Sequence, residues 1–549
     1  MENKLNDLIK RKYPRSSGVL LPITALHGKY GIGTLGECAR EFIDFLSGAG
    51  FHIWQILPVE HTSVCFSPYK SVSAFAGEPM LIDPDMLRAM GLVTADELAA
   101  RAEGMSFASV EYEIVREKQA ELLRIAFSRL DGGPGEGLSQ ACAEPGAQRE
   151  GLCSQREELN RLLALYNPIW LEGYALYMAI KGRYGGDPWY EWPDEGARAH
   201  DGETLRLLEK ELADEIRFYK FEQWLFDMQW REMKEYAAKR GISIFGDLPI
   251  YVSEDSAEVW SRRELFYADT EGKFLRTGGA PPDYFTPDGQ SWGNPVYNWE
   301  ILEKEGYKWW IDRIREAIRR YDIIRLDHFR GFESFWSIPF GAETAREGEW
   351  VKGPGYPFFK AIVDELGELP VIAEDLGVID EKVQALLADT GFRGMRVLQF
   401  GFFGDETHLP HNYSEDCVAY TGTHDNTTML AWMFELNWED REKALFYLGF
   451  MGDWTVGGPN CAINVAWIRA LFMSSASVVF FPIQDLLGYG ADTRMNTPGT
   501  AKGNWRFRIQ DGVLGQIDSW FYKRMNIASD RDAPPVAKTS PDGEEFADS

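Results

Sequence analysis

The chain contains 549 residues, enough for one large domain with insertions or for two or three domains. Hydrophobic residues make up 45% and charged residues 26% of the chain, a balance typical of a globular protein and not of a disordered one. The formal net charge of −28 argues against nucleic acid or an anionic membrane as a partner, because both are bound through basic surfaces.

The cysteines and the apolar runs indicate the cellular location of the protein. The six cysteines are scattered and lack the paired spacing of a metal site, so in a chain of this length they predict reduced thiols and a cytoplasmic location. The N-terminal residues lack the apolar core of a signal peptide, and no apolar run approaches the ~18 residues of a membrane span. We therefore expect no membrane association, no metal and no cofactor.

Eight short apolar runs end at polar residues or glycine, which is typical of strands buried on both faces of a parallel sheet. They cover residues 17–21, 52–59, 242–252, 322–329, 369–376, 394–400, 417–425 and 477–487. Helical patterns lie between most of them, such as GECAREFIDFLSGAG after the first run and EKVQALLADTG after the fifth. This alternation predicts an α/β protein with a (β/α)₈ TIM barrel, although a doubly wound sheet would give a similar pattern.

The gap between the second and third runs is too long for one crossover and is mostly helical in pattern. We expect residues 1–84 to begin the barrel, 85–235 to form a helical insertion subdomain, 236–525 to complete the barrel with loop insertions, and 526–549 to form a disordered tail. The Gly/Pro-rich stretch 131–151 is typical of a mobile loop inside the insertion.

Ionisable residues cluster where the predicted strands end. Asp247 ends the third run, Glu374 the fifth, and His424 and Asp425 the seventh; Arg325 and Asp327 end the fourth. Catalytic groups of a barrel project from the carboxyl ends of its strands. Because Arg325 and Asp327 are two residues apart, they point to the same face, where a guanidinium would lower the pKa of the carboxyl and keep it ionised. A single Asp–Arg pair of this kind is more often structural than catalytic.

Three strands that each end in an acid favour a catalytic or binding role over a structural one. Like charges that converge at one site are energetically costly and are not expected there without a function. Asp327, Glu374 and Asp425 come from different strands. Converging carboxylates serve either as metal ligands or in glycoside cleavage, in which one attacks and a second, with a raised pKa, donates a proton. His328 and His424 lie beside these acids, so hydrogen bonds to sugar hydroxyls are plausible, although a lone strand histidine is usually a packing residue.

Two loop segments carry side chains suited to sugars. FSPYKSVSAFAG (66–77) offers Tyr69 as a stacking surface, and GGAPPDYFTPDGQSWGNPVYNW (278–299) mixes Gly and Pro with Tyr284, Gln290, Trp292 and Asn294. Rings stack on pyranose faces and amides bond hydroxyls, although an ordinary surface turn is the simpler interpretation. Apolar rings on an exposed loop often mark a binding surface or lid.

Several motifs resemble those of the amylomaltases, 4-α-glucanotransferases related to the α-amylase superfamily. RLDHFRGFESFWSIP, VIAEDLGVI, YTGTHDNTT and FGDLPIYV are similar to the motifs of that family, as are SPYKSVSAFAG, PPDYFTPDGQSWGNP, EGEWVKGPG and QDLLGYGADTRMNTPGTAKGNWRFR. The resemblance runs in order from about residue 16 to 525 and implies a barrel with inserted subdomains and no C-terminal β-sandwich. It also implies a retaining double displacement on α-1,4-glucans.

The same resemblance implies roles for individual residues. Asp327 matches the nucleophile, Glu374 the general acid/base and Asp425 the carboxylate that stabilises the transition state. Arg325 matches the arginine that keeps the nucleophile charged. The remaining matches are to substrate-binding or near-site positions: Tyr69, Asp247, Tyr284, Gln290, Trp292, Asn294, His328, His424 and Asn496.

The sequence also departs from the family pattern. PITALHGKYG replaces the expected first motif, and Lys70 stands where Gln is usual. Both departures lie outside the motifs that carry the predicted catalytic residues, so we expect them to affect substrate binding and not the reaction. The competing predictions are a retaining α-1,4-glucan hydrolase using the same acids, a non-catalytic glucan-binding protein, and a carboxylate metal enzyme.

Overall fold

The computed structural model describes residues 14–130, 157–269, 273–282, 287–500 and 502–533. The strands in these ranges, numbered in chain order, are β1 (Ser16–Leu20), β2 (Ile53–Gln55), β3 (Ser243–Leu248), β4 (Arg276–Ala280), β5 (Gln290–Pro295), β6 (Ile323–Leu326), β7 (Ser334–Pro339), β8 (Glu349–Lys352), β9 (Val371–Ala373), β10 (Gly394–Val397), β11 (Cys417–Tyr420) and β12 (Val478–Pro482).

The helices are α1 (Glu37–Gly48), α2 (Pro84–Ala89), α3 (Ala95–Ala102), α4 (Tyr112–Leu130), α5 (Leu171–Arg183), α6 (Glu195–Arg198), α7 (Gly202–Glu211), α8 (Ala213–Lys239), α9 (Ala257–Ser261), α10 (Trp299–Lys304), α11 (Lys308–Arg320), α12 (Arg330–Glu333), α13 (Tyr356–Leu366), α14 (Glu381–Thr390), α15 (Met429–Glu435), α16 (Trp438–Leu448), α17 (Ala462–Phe472), α18 (Ile483–Leu486) and α19 (Ser519–Ala528). Residues 157–165 are also helical. None of the helices in the described ranges is both long and apolar enough to cross a membrane.

Eight parallel strands form a closed barrel in the order β1-β2-β3-β6-β9-β10-β11-β12. Strand β12 pairs with β1 in parallel, and a parallel bridge between Ile372 and Arg393 joins β9 to β10. Seven of the eight predicted runs contain one of these strands, and the run 17–21 covers all of β1 except its first residue. Closure confirms the TIM barrel and excludes the doubly wound sheet, which would keep two open edges.

The barrel interior is a packed core of large side chains. Phe245, Tyr420 and Phe480 fill it together with aliphatic residues from the other strands. The rings of Phe480 and Tyr420 stack with centroids 5.1 Å apart. Gly18 on β1 leaves room for this packing, because a Cβ there would lie 2.3 Å from the Phe480 ring. Polar groups of the barrel therefore concentrate near its carboxyl end, above this apolar floor.

Between β2 and β3, the described residues from Pro84 onward are mostly helical, and the division into an insertion subdomain at 85–235 stays a prediction. The last helix of this stretch, α8, runs past residue 235 to Lys239 and packs on α1 and β3. Helix α8 thus serves both the insertion and the outer ring of the barrel. The expected mobile loop at 131–151 lies outside the described residues.

A four-stranded antiparallel sheet, which the sequence did not predict, projects from the barrel in the order β5-β4-β7-β8. Strands β4 and β5 come from the insertion after β3, and β7 and β8 from the insertion after β6. The segment 278–299, expected to be a shaped loop, therefore contains the end of β4 and all of β5. RTGGA and QSWGNP lack strand-like alternation, and β4 finds its second partner in β7, ~60 residues away.

The C-terminal segment is folded further than expected. Helix α19 runs to Ala528, and the fully buried Arg531 donates hydrogen bonds to the backbone carbonyls of Ser16 (3.2 Å) and Ser477 (3.0 Å) at the amino ends of β1 and β12. Residues 526–533 therefore pack against the barrel, and 534–549 lie outside the described residues. No strand follows β12 within 483–500 or 502–533.

Candidate active site

A long cleft of about 1310 Å³ opens at the carboxyl ends of the barrel strands. The ends of β6, β9 and β11 form its floor, and strand β5 lies in its wall. Eleven of the predicted site residues line it: Tyr69, Gln290, Trp292, Asn294, Arg325, Asp327, His328, Glu374, His424, Asp425 and Asn496. Asp247 lies beneath the floor, fully buried, and Tyr284 lies outside the described residues.

The floor of the cleft is organised around the buried guanidinium of Arg325. The register of β3 and β6 places Asp247 opposite Arg325, and Asp247 accepts two hydrogen bonds from it, at 2.8 and 2.7 Å. The same guanidinium donates to Asp327 Oδ1 at 2.8 Å. Asp247 therefore balances the charge of Arg325 and orients it, and Arg325 in turn fixes one oxygen of Asp327.

The Tyr69 hydroxyl joins this network to the opposite side of the barrel. It donates to Asp247 Oδ2 at 2.6 Å and lies 2.8 Å from Nε2 of His424. Because its single proton is given to Asp247, the hydroxyl accepts from His424, which must carry its proton on Nε2. The two rings stack with centroids 5.5 Å apart. Tyr69 thus ties β3 and β6 to the loop after β11.

Glu374 follows β9 and lies against the segment that carries Asp327. Its carboxylate accepts the backbone N–H of His328 at 2.9 Å and that of Leu376 at 3.1 Å. His328 adopts the left-handed region with φ 49°, which is uncommon for a residue other than glycine. The backbone therefore holds Glu374 beside the end of β6.

The two neighbouring carboxyls differ in their partners. Burial raises the pKa of Glu374 to about 7, with Arg325 opposing and Asp375 adding to the shift. Burial also raises the pKa of Asp327, by more than Arg325 lowers it, so the expected net lowering was wrong in sign. Asp327 nevertheless keeps a direct guanidinium bond and leaves 25% of its side chain facing the cleft. The direct guanidinium bond favours the ionised form of Asp327, and Glu374, with a pKa of about 7, can exchange a proton near neutral pH.

Asp425 projects into the cleft, with 46% of its side chain exposed. Nδ2 of Asn496 donates to its Oδ1 at 2.6 Å, and the guanidinium of Arg494 donates to its backbone carbonyl at 2.7 Å. Arg494 also donates to the backbone carbonyl of Asn496 at 2.7 Å. Arg494 was missed among the predicted residues, although it lies two positions before Asn496 in the quoted RMN motif.

The two predicted histidines are neutral and each leaves one ring nitrogen without a partner among the described residues. Burial lowers the pKa of His328 to about 4 and lowers that of His424. Among the described residues, Nε2 of His328 and Nδ1 of His424 are buried and have no hydrogen-bond partner. Such atoms in a cleft wall suit hydroxyl groups of a ligand.

Strand β5 lines the cleft with the side chains of alternate residues. Trp292 donates through Nε1 to Gln290 Oε1 at 3.2 Å, and its ring meets His328 edge to face at 4.9 Å. Asn294 instead donates to the backbone carbonyl of Val252 at 2.8 Å and is buried. Its amide nitrogen therefore holds β5 to the chain after β3, which makes Asn294 a support for the wall.

Other wall residues were missed by the sequence analysis. Trp505 lies in the cleft wall with its ring 5.8 Å from Tyr69 and 5.9 Å from His424, and it adopts φ 66°. Lys70 also lines the cleft, which places the noted departure from the family pattern at the site. The NWRFR motif contained Trp505, but only the fold shows that this motif lies against the strand ends.

A closed barrel with three carboxylates meeting at its strand ends, in an open cleft walled by aromatic rings, is the arrangement of enzymes that cleave and form glycosidic bonds. The 4-alpha-glucanotransferase family, glycosyl hydrolase family 77, matches residues 21–514. The chain belongs to this family.

Sequence and structural relatives agree with this membership. The chain is 41% identical over 522 residues to the 4-alpha-glucanotransferase of Streptococcus pneumoniae, covering 93% of this chain and 98% of the relative. It is 41% identical over 524 residues to that of Thermus thermophilus, covering 94% and 99%. Its fold is similar to the amylomaltase from Streptococcus agalactiae in complex with acarbose, with a TM-score of 0.85, 37% identity and coverage of 94% and 99%.

Proposed function

We propose that this protein transfers segments of α-1,4-glucans from one malto-oligosaccharide to the 4-hydroxyl of another by a retaining double displacement. The observation that carries the proposal is the difference between the two neighbouring carboxyls. Burial raises the pKa of both, but Asp327 accepts a hydrogen bond from a guanidinium, which favours its anion, whereas Glu374 is held by backbone N–H groups and has a pKa of about 7. One is suited to attack as an anion and the other to donate a proton.

In the first step, Asp327 attacks the anomeric carbon while Glu374 protonates the oxygen of the breaking glycosidic bond. The donor's leaving piece departs with that proton, and a covalent glycosyl-enzyme with inverted configuration remains. Retaining enzymes of this type place the two carboxyl groups ~5 Å apart, and we expect that separation here. Arg325 fixes the attacking carboxylate, so little reorganisation is needed as its oxygen bonds to the anomeric carbon and its negative charge is lost.

In the second step, Glu374 takes the proton of an incoming 4-hydroxyl, whose oxygen attacks the anomeric carbon and releases Asp327. The second inversion restores the α-linkage. Asp425, held by Asn496, would bind ring hydroxyls more tightly in the distorted, oxocarbenium-like state than in the ground state, which is where binding accelerates reaction. These steps use carboxylates alone and require no cofactor.

Transfer in place of hydrolysis requires that a sugar and not water meets the intermediate. The wall formed by β5 is our candidate, because Trp292 packs against His328 beside the reacting groups. Trp292→Ala should raise hydrolysis relative to transfer, whereas Trp336→Ala on β7, away from the cleft, should leave the ratio unchanged. An equal ratio in the two variants would exclude β5 as the gate.

The function is tested by incubating the protein with maltotriose and following glucose, total reducing ends and chain lengths. A ladder of longer malto-oligosaccharides at constant reducing ends is expected, and Asp327→Asn should abolish it. Rising reducing ends with no product longer than the substrate would identify a hydrolase. We also infer a cytoplasmic location, supported by the four free thiols in the described residues.

A further inference from the structure

A buried carboxylate outside the cleft joins both ends of the loop that carries Asp425. Asp485 lies in α18, directly after β12, and is 1% exposed. Its Oδ2 accepts the hydroxyl of Thr421 at 2.6 Å, and its Oδ1 accepts the backbone N–H of Met429 at 2.8 Å. Thr421 follows β11 directly and Met429 begins α15. One side chain therefore sets the span of segment 421–429.

Further bonds make this clamp rigid. Asn464 on α17 donates to the backbone carbonyl of Asp485 at 2.9 Å, and Gln399 donates to the backbone carbonyl of Thr427 at 2.8 Å. Both amide side chains are buried. The rigid anchor matters because the carboxylate of Asp425 reaches into an open cleft and is only partly surrounded by protein, with 46% of the side chain exposed.

We propose that Asp485 is a positioning residue for the reaction, which sets the height of Asp425 above the cleft floor through Thr421 and Met429. The proposal rests on the function proposed for Asp425. Asp485 lies outside the cleft lining, so it acts on the transition state only through that loop. A misplacement of ~1 Å at a reacting centre can cost ~100-fold in rate. The loss should fall on kcat, because the many other cleft contacts that bind the glucan stay in place.

Two variants and a matched control test this. Asp485→Asn keeps the shape but cannot accept at both positions, and Thr421→Val removes only the hydroxyl. The control is Asp83→Asn, because Asp83 lies outside the cleft lining, is 5% exposed, and accepts the Thr34 hydroxyl at 2.6 Å and the N–H of Met86 at 3.0 Å. The kcat and KM for maltotriose disproportionation and the thermal midpoint are measured for each.

We expect Asp485→Asn to lower kcat roughly 30- to 100-fold and Thr421→Val roughly 3- to 10-fold, with KM within about 3-fold. Asp83→Asn should lose thermal stability but keep kcat within about 2-fold. If Asp485→Asn and Thr421→Val keep wild-type kcat, the proposal is wrong. Should Asp485→Asn fail to fold, Thr421→Val decides alone, by the same criterion.

Asp425→Asn separates this proposal from the function on which it rests. If Asp425→Asn stays active, the role proposed for Asp425 is wrong, and with it the inference. If Asp425→Asn is inactive while Thr421→Val retains full kcat, the proposed function stands and only the role of Asp485 is overturned. A kcat loss in both supports the clamp.

Discussion

Replacing Tyr69 by Phe removes one oxygen from the centre of the site and leaves the ring in place. That oxygen serves three partners: it donates to Asp247 at 2.6 Å and meets His424 Nε2 at 2.8 Å and the Arg325 guanidinium at 3.1 Å. Asp247 keeps two bonds from Arg325 in the variant. His424, 3% exposed, loses the acceptor that fixes its tautomer.

The expected magnitudes follow from these contacts. A buried polar group left without its partner costs ~1–3 kcal/mol, so the free energy of unfolding should fall by about that amount. The rate should suffer as well, because a freed His424 can turn away from the cleft and Arg325 loses one constraint on its contact with Asp327. We expect kcat to fall ~10- to 100-fold, equivalent to ~1.4–2.7 kcal/mol in the barrier.

The assay compares Tyr69→Phe with Tyr177→Phe in the helical insertion. Tyr177 is fully buried, and its hydroxyl donates at 2.6 Å to Asp255, which also binds Lys181 at 2.6 Å. Both variants should lose similar stability in urea unfolding, but only Tyr69→Phe should lose kcat with maltotriose. Equal kcat in the two variants would refute the argument that the Tyr69 hydroxyl organises the site.

Three further predictions concern pH and charge. In the proposed first step Glu374 must be protonated, and burial raises its pKa to about 7, so kcat/KM should be halved near pH 7 and fall to ~10% of its maximum by pH 8; a flat profile to pH 9 would contradict this. Asn496→Asp would place a second negative charge at hydrogen-bond distance from Asp425 and should lower kcat ~100-fold, measured by glucose release. Asn496→Ser, which only removes the amide, should lower kcat ~10-fold in the same assay. Burial raises the pKa of Glu222 to about 8, so between pH ~4.3 and 8 this side chain is protonated in the folded protein and ionised in the unfolded chain. The free energy of unfolding should therefore fall as pH rises through this range. Glu222→Gln should therefore stabilise the protein by at least ~1 kcal/mol at pH 8 and by little at pH 4, and equal gains at both would exclude this cause.

The barrel and its three acids could be predicted because their signals are local. A strand buried on both faces appears as a continuous apolar run, and the first polar residue after it must lie at the end of the barrel that holds the reacting groups. Asp327 and Glu374 follow this pattern directly, and Asp425 lies five residues after the end of β11. The contact between Arg325 and Asp327 follows from a separation of two residues on one strand.

Partners distant in sequence could not be predicted in the same way. The hydrogen bond from Tyr69 to Asp247 joins residues 178 apart, and that from Thr421 to Asp485 joins residues 64 apart. Strand β4 has no strand-like alternation and exists because β5 and β7 satisfy its backbone. Arg531 lies in a polar segment without periodicity. It is nevertheless buried, because backbone carbonyls at the amino ends of the barrel strands need hydrogen-bond donors.

The sequence by itself thus determined which residues form buried strands and which charges stand at their ends, since both depend on side chains within a few positions. The tertiary structure decided the pKa values and the orientation of those groups. Burial outweighs the guanidinium in the pKa of Asp327, reversing the direction expected from the pair alone. Desolvation depends on everything packed around a group, and that environment exists only once the barrel has closed.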